Sequence, residues 1–139
     1  FGDKFGNSAI VEENAIIRKK GSYQIATNFR LSENPGPPYF DGRYNTADKL
    51  LSQAGSYSVE LIRQVLDATH QEGHAQTVYS QVYDLKHGLI YMYLFHDYQN
   101  VAILNLADEL VKGPHMVSFA SLFPENQNYD QWSLQMMDN

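Results

Sequence analysis

Two polar residues, Asn28 and Arg43, flank one loop, and their side chains could act together in catalysis or binding. Asn28 lies in the stretch YQIATNF, residues 23–29, whose aromatic and β-branched residues predict a strand. Arg43 is the second residue of the stretch GRYNTADKLL, which predicts a helix. An amide donor and a guanidinium brought together could stabilise an oxyanion or bind an anion. The pair fits equally well a polar strand end and an ion-paired arginine at a helix start.

The composition of the chain narrows the classes of function. Its 139 residues are 43% hydrophobic, enough to bury the core of one ordinary domain. The net charge of −6 and the scattered Lys and Arg leave no basic stripe, so we expect no nucleic-acid partner. No apolar run suits a membrane span and FGDKFGNS lacks signal-peptide features, so we expect no membrane anchor and assign no compartment. Without cysteine, this chain holds no disulfide or thiol nucleophile.

Short apolar runs predict two or three strands at the start of the chain. They cover residues 9–11, 15–17 and 23–26, separated by charged or Gly-containing breaks. The stretch LSENPGPPYFDG, residues 31–42, is predicted to be a surface loop because proline fixes φ and removes a backbone donor.

Two helices are predicted after this loop, each with one apolar face. The first should stop at Gly55, and the second should begin at a Ser58 cap and end before a left-handed Gly73. The apolar positions at three- and four-residue spacing are Tyr44, Ala47, Leu50, Leu51 and Ala54 in the first helix, and Val59, Ile62, Val65, Leu66 and Thr69 in the second.

The rest of the chain changes to a two-residue period, which predicts an antiparallel meander. Its strands are TVYSQVYDL, LIYMYLF and NVAILNL, of which LIYMYLF should be covered on both faces because it hardly alternates. A helical turn at ADELVKG should follow, and then a polar tail that lies over the surface or belongs to a partner contact. The order of elements predicts an α+β fold with two helices packed on one face of a mostly antiparallel sheet. We expect Ala47, Leu51, Ile62 and Leu66 to face that sheet around Tyr91, Tyr93 and Phe95.

The histidines and the other residue types that could be catalytic or bind a metal show no specific motif. His70 and His74 are four apart with Glu72 between them, but Gly73 at a helix end favours a solvated terminus over a zinc pair. His87 and His96 are interpreted as surface residues or locally hydrogen-bonded ones. No G-x-S-x-G elbow, phosphate-binding glycine loop or carboxylate pair is present. The prediction is therefore no metal and no cofactor.

Five ordered segments together carry a family resemblance over most of the chain, up to about Phe123. These segments are GDKFGNSAIVE, YQIATNF, GRYNTADKLL, YSQVYDLKHGLIYMY and ADELVKG. The set resembles the C-terminal half of the choloylglycine hydrolase and penicillin V acylase family, including its acyl-CoA:isopenicillin N acyltransferase-like branch. The resemblance implies an N-terminal-nucleophile hydrolase, which is an αββα sandwich whose N-terminal cysteine attacks an amide carbonyl with its own α-amine as base.

The same resemblance implies roles for the two polar residues. Asn28 matches the asparagine that donates to the oxyanion, and Arg43 matches the arginine near the nucleophile. Residues 1–123 would be the C-terminal portion of a linear amide hydrolase or acyltransferase, and residues 124–139 a polar tail. Its partners would be a small amide or acyl substrate and the missing N-terminal half. The exposed strand edges of such a portion predict a homo-oligomer. The alternative is a non-catalytic binding or structural domain.

Overall fold

The computed structural model describes residues 1–34, 36 and 40–137, without the side chains of His74, Gln135 and Met137. The chain forms two compact units, Phe1–Thr69 and His70–Asn139. This structural division differs from the division at residue 123 that the family resemblance implies. Each unit has a hydrophobic cluster of its own.

The first unit opens with a hairpin of two antiparallel strands. Strand β1 spans Ala9–Glu12 and β2 spans Ala15–Arg18, with Ile10 opposite Ile17. The strand predicted at residues 23–29 is wrong, because this segment joins no described ladder. Its residues Tyr23 and Ile25 pack instead in the core formed with the two helices. The residue types that favour strands also suit such a core, so composition alone does not distinguish the two.

Two helices of similar length complete the first unit. Helix α1 spans Gly42–Ser52 and α2 spans Val59–Thr69. The predicted Ser58 cap is confirmed, since Ser58 Oγ accepts the Leu61 N–H at 3.1 Å. Gly73 has the expected positive φ of 82°, although it lies a few residues beyond the end of α2.

The core of the first unit is formed by the two helices and residues 23–25. The helices bury their apolar faces against each other, and the predicted packing of these helices on the sheet stays a prediction. Leu66, predicted to be in the core, is half-buried, and its neighbour Val65 is the buried residue of α2. The buried members of this cluster are Ile25, Ala47, Leu51 and Val65, flanked by Tyr23, Tyr44, Leu50, Leu61 and Ile62.

The second unit contains the predicted antiparallel meander. Strands β3 (Tyr79–Asp84), β4 (Leu89–Leu94) and β5 (Asp97–Asn105) pair in that order. Met92, Tyr93 and Leu94 are buried in succession. Because successive residues of a strand point to opposite faces, this half of β4 is covered on both faces as predicted.

The end of the chain is helical and belongs to the core of the second unit. Helix α3 spans Leu106–Val111, confirming the predicted turn, and α4 spans Gln127–Met137. The sequence did not predict this helix: most of its polar residues are exposed, but Tyr129 and Trp132 pack against the cluster around Phe95 and Phe123. The polar residues between them occupy the outer side of an amphipathic helix.

The described residues contain two antiparallel sheets and four α-helices, so the predicted α+β class is confirmed. In the described part of the chain, no helix combines the length and apolar character needed to cross a membrane.

Candidate functional site

Asn28 and Arg43 line one cleft of about 330 Å³ in the first unit. One side of the cleft is the segment 24–28, and the others come from α1 and α2. Its apolar lining includes Ala47 and Leu51, which belong to the buried core. The two polar residues chosen from the sequence therefore share a concave surface with an apolar base, the usual form of a small-molecule site.

The segment that leads to Asn28 is fixed by side chains instead of strand pairing. The Tyr23 hydroxyl donates to Asp48 Oδ1 at 2.7 Å, and this bond, with burial, raises the pKa of Tyr23 to about 12. The Gln24 amide donates to the Ile17 carbonyl at 2.8 Å, and Gln24 Oε1 accepts from Ser8 Oγ at 2.9 Å. These bonds connect the segment to α1 on one side and to the β1–β2 hairpin on the other.

The residues after Asn28 are also held in place. The Phe29 ring packs on Tyr44, with centroids 5.6 Å apart. The Glu12 carboxylate accepts the backbone N–H groups of Leu31 and Ser32 at 2.7 and 3.0 Å. Asn28 is itself exposed, so a fixed backbone presents its amide to solvent at the cleft. This combination of a fixed backbone and an accessible donor suits a binding group.

Arg43 is oriented by the residue that caps its helix. Asp41 is the N-cap of α1 and accepts the backbone N–H groups of Arg43 and Tyr44 through Oδ1, at 2.8 and 3.3 Å. Its other oxygen, Oδ2, lies 3.4 Å from the Arg43 guanidinium. Because Asp41 occupies these two backbone donors, an anion in the cleft would depend on the side chains of Asn28 and Arg43.

Asp41 remains a carboxylate although its side chain is only 10% exposed. Burial alone would raise the pKa of Asp41, but contacts with Thr27, with the backbone N–H groups of Tyr44 and Arg43, and with the Arg43 charge lower it below 3.8. The Thr27 hydroxyl is buried beside Asp41 without a well-formed hydrogen bond in the described part of the chain. Arg43 therefore faces a permanent negative charge at neutral pH.

Removing the Asp41 cap should destabilise the first unit. We expect Asp41→Ala to lower the free energy of unfolding by about 1 kcal/mol, because two backbone donors of α1 lose their acceptor. Asp41→Asn is the matched control, since its amide oxygen can still cap the helix. Urea unfolding followed by circular dichroism measures both variants. Equal stability of Asp41→Ala and wild type would contradict the capping role.

The difference in stability between wild type and Asp41→Asn should depend on pH. Because the folded pKa of Asp41 is below its ordinary value of 3.8, its charge contributes stability above that pH and loses the contribution as pH falls through the folded pKa. The stability difference between wild type and Asp41→Asn should therefore shrink as pH falls below 3.8. A difference that grows in acid would show that the sign is wrong.

The sequence selected two residues of this cleft but missed Thr27, which also lines it, and Asp41, which contacts Arg43. Asp41 and Thr27 were missed because both lie at predicted element boundaries, where polar residues usually have only a local role. The signal for Asp41 was its position directly before the helix, which is typical of an N-cap. The structure places Asn28 and Arg43 in one cleft, and their catalytic roles stay a prediction.

Comparison of the chain with protein-family models, with curated proteins and with solved structures finds no match.

Proposed function

We propose that the first unit supplies Asn28 and Arg43 to the active site of a linear amide hydrolase or acyltransferase whose nucleophilic cysteine lies outside this chain. The observation that carries the proposal is the shared cleft of these two residues. The family resemblance of the surrounding segments supplies the reaction class. In the same proposal, the two sheets and the helices would be part of an αββα sandwich.

The proposed reaction is acyl transfer through a thioester. The α-amine of the N-terminal cysteine takes the thiol proton, and the thiolate attacks the substrate carbonyl carbon. The Asn28 amide would donate to the oxygen as it becomes negative. The intermediate then expels the amine, which leaves with the proton held by the α-ammonium. Water or an acyl acceptor next attacks the thioester and releases the thiol.

The cleft suits each part of this chemistry. The Asn28 amide is a neutral donor, so it stabilises a developing oxyanion without requiring a charged ground state. The apolar residues from α1 and α2 could contact the acyl part of a substrate. The Arg43 guanidinium, 29% exposed, is a planar group that Asp41 contacts at 3.4 Å.

The direct test joins this chain to the segment that carries the cysteine and measures amide hydrolysis. Conjugated bile acids, penicillin V and N-acyl amino acids serve as the substrate panel. We expect turnover from the joined protein and none from this chain alone. Absence of turnover on the panel and absence of a thioester with activated acyl donors would overturn the proposal.

Arg43→Lys should reduce kcat/KM by about tenfold or more in that joined protein. Hydrogen bonds to charged groups are worth about 1.5–3 kcal/mol, and a point ammonium cannot reproduce a planar fork. Arg63→Lys, on α2 and paired with Glu60, provides an arginine control outside the cleft lining. Equal activity of wild type and Arg43→Lys would remove Arg43 from the proposed site.

A non-catalytic binding or structural domain is the second candidate. The contact between Arg43 and Asp41 favours it, because an ion pair near a helix start is a common structural arrangement. This candidate predicts a change in stability without a change in turnover per folded molecule when the cleft residues are replaced. Homo-oligomerisation also stays a prediction, which light scattering checks. The exposed Val11 and Ile16 on the β1–β2 hairpin are apolar surface that association could bury.

A further inference from the structure

Two histidines and a glutamate come together in the second unit. His70 and Glu72 lie directly after α2, and His96 lies in the turn between β4 and β5. One possible ligand atom from each residue lies within 4.8 Å of the other two. The distance from His70 Nε2 to Glu72 Oε1 is 3.2 Å, and the His70 and His96 rings stack with centroids 4.5 Å apart.

The turn that carries His96 has an unusual backbone. Phe95 and His96 have positive φ values of 46° and 62°, a conformation that glycine and asparagine adopt more readily. The buried Phe95 ring and the Phe95 N–H, which donates to the Val78 carbonyl at 2.8 Å, hold this turn. Strained backbone of this kind persists where the surrounding structure fixes it, and it occurs often at functional sites. Here it directs the His96 ring toward His70.

The His96 ring leaves one nitrogen without a partner. His96 Nε2 is buried and makes no hydrogen bond to any described residue. A buried imidazole nitrogen normally has a hydrogen-bond partner, so the lack of one at His96 Nε2 requires an explanation. The contact between His70 and Glu72 does not explain it, because this contact leaves His96 Nε2 without a hydrogen-bond partner. A ligand that takes the nitrogen lone pair would satisfy it.

We propose that His70, Glu72 and His96 bind a divalent transition metal, with zinc as the ion that fits this ligand set best. Two imidazoles and one carboxylate are a known three-residue ligand set of zinc sites that keep an open position. Hard cations such as calcium and magnesium prefer oxygen ligands, so the two histidines select against them.

The spacing of the ligands fits zinc with a small adjustment. Ligands about 2.0–2.1 Å from a tetrahedral ion lie roughly 3.3 Å apart. The pair formed by His70 and Glu72 already has this separation, at 3.2 Å. Glu72 is the mobile member, because its side chain is 76% exposed and can rotate toward the ion.

The fourth position would open onto a hollow of about 370 Å³. Glu72 and His96 line this hollow together with Asn128, Gln131 and Trp132 of α4. The amide side chains offer hydrogen bonds and the indole offers an apolar surface. A metal there could therefore hold water or a small anionic ligand within reach of α4.

The sequence brought one member of this group, His70, into consideration and predicted no metal. Its metal hypothesis combined His70 with His74, whose side chain lies outside the described residues. His96, which follows a strand, was interpreted as a surface residue or a locally hydrogen-bonded one. Only the hairpin formed by β4 and β5 brings it to His70, and a contact that distant along the chain has no local sequence signal.

The test is calorimetric titration of the untagged full chain with zinc. We expect one zinc ion per chain in the wild type. Glu72→Gln should weaken binding about tenfold or more, and His96→Asn about a hundredfold or more. Asparagine is chosen at position 96 because it tolerates positive φ. His87→Asn is the matched control, because its ring bonds to Asp84 in the turn between β3 and β4, and it should bind zinc as the wild type does.

Cobalt provides an independent measurement on the same proteins. Tetrahedral cobalt has visible absorption, which should appear at the same cobalt concentration with the wild type and the His87→Asn control and need about tenfold more cobalt or more with Glu72→Gln. Failure of the wild type to bind zinc, or equal binding by wild type and Glu72→Gln, would overturn the proposal. Equal loss in the control would do so as well. Since Glu72 is exposed, Glu72→Gln decides the question even if His96→Asn does not fold.

Discussion

Replacing Asn28 with alanine is expected to lower kcat for amide hydrolysis about a hundredfold or more in the joined protein. The loss of one oxyanion donor raises the barrier by roughly 3 kcal/mol. Folding should change little, because Asn28 is exposed and its segment is fixed through Tyr23 and Gln24. Thermal midpoint and hydrolysis rate must be measured on the same preparation.

Two further variants make this measurement decisive. Asn28→Asp keeps the shape of the side chain but places a carboxylate where the oxyanion forms, so it should be at least as damaging as alanine. Asn7→Ala replaces an asparagine of the same unit whose amide bonds to Asp3, and it should leave kcat unchanged. Retained turnover in Asn28→Ala, or lost stability at constant turnover, would assign Asn28 to the architecture alone.

Leu94→Ala should have the largest effect on stability, lowering the free energy of unfolding of the second unit by about 2–5 kcal/mol. Leu94 is the most deeply buried side chain in the described part of the chain, at 2% exposed. Its cluster includes Met92, Phe95 and Phe123, so truncation leaves a cavity lined by strands and by the end of the chain.

Leu110→Ala is the control for the same chemical change. Leu110 lies on α3 and is 70% exposed, so its truncation removes little buried surface. Urea titration of both variants separates a cavity effect from a general effect of the leucine-to-alanine change. A loss below half a kcal/mol for Leu94→Ala would show that the core is misplaced.

The parts of the fold that depend on local pattern could be predicted from the sequence. The meander from Tyr79 to Asn105, both helices and the Ser58 cap follow from residue periodicity and N-cap chemistry, which act within a few residues. The segment 23–29 could not, since its strand-like residues are buried by helices. The tail could not either, because Tyr129 and Trp132 are spaced by polar residues and show their apolar side only against Phe95.

The candidate site also has a part that the sequence predicts and a part that only the fold determines. Asn28 and Arg43 could be selected because their residue types suggest chemistry on either side of one loop. Their common cleft depends on the packing of α1 against α2, which no short motif contains. The contact between His70 and His96 is still harder to predict, because it requires both a hairpin and an unusual turn.

The single tryptophan of the chain is a built-in optical probe of one unit only. Trp132 packs on Phe95, with centroids 5.5 Å apart, and lines the hollow beside His96. Its fluorescence should therefore follow the melting of the second unit and respond to an ion seated near His96. Circular dichroism records helices of both units. Comparing the two signals during denaturation would show whether the units melt together or one at a time, with no added label.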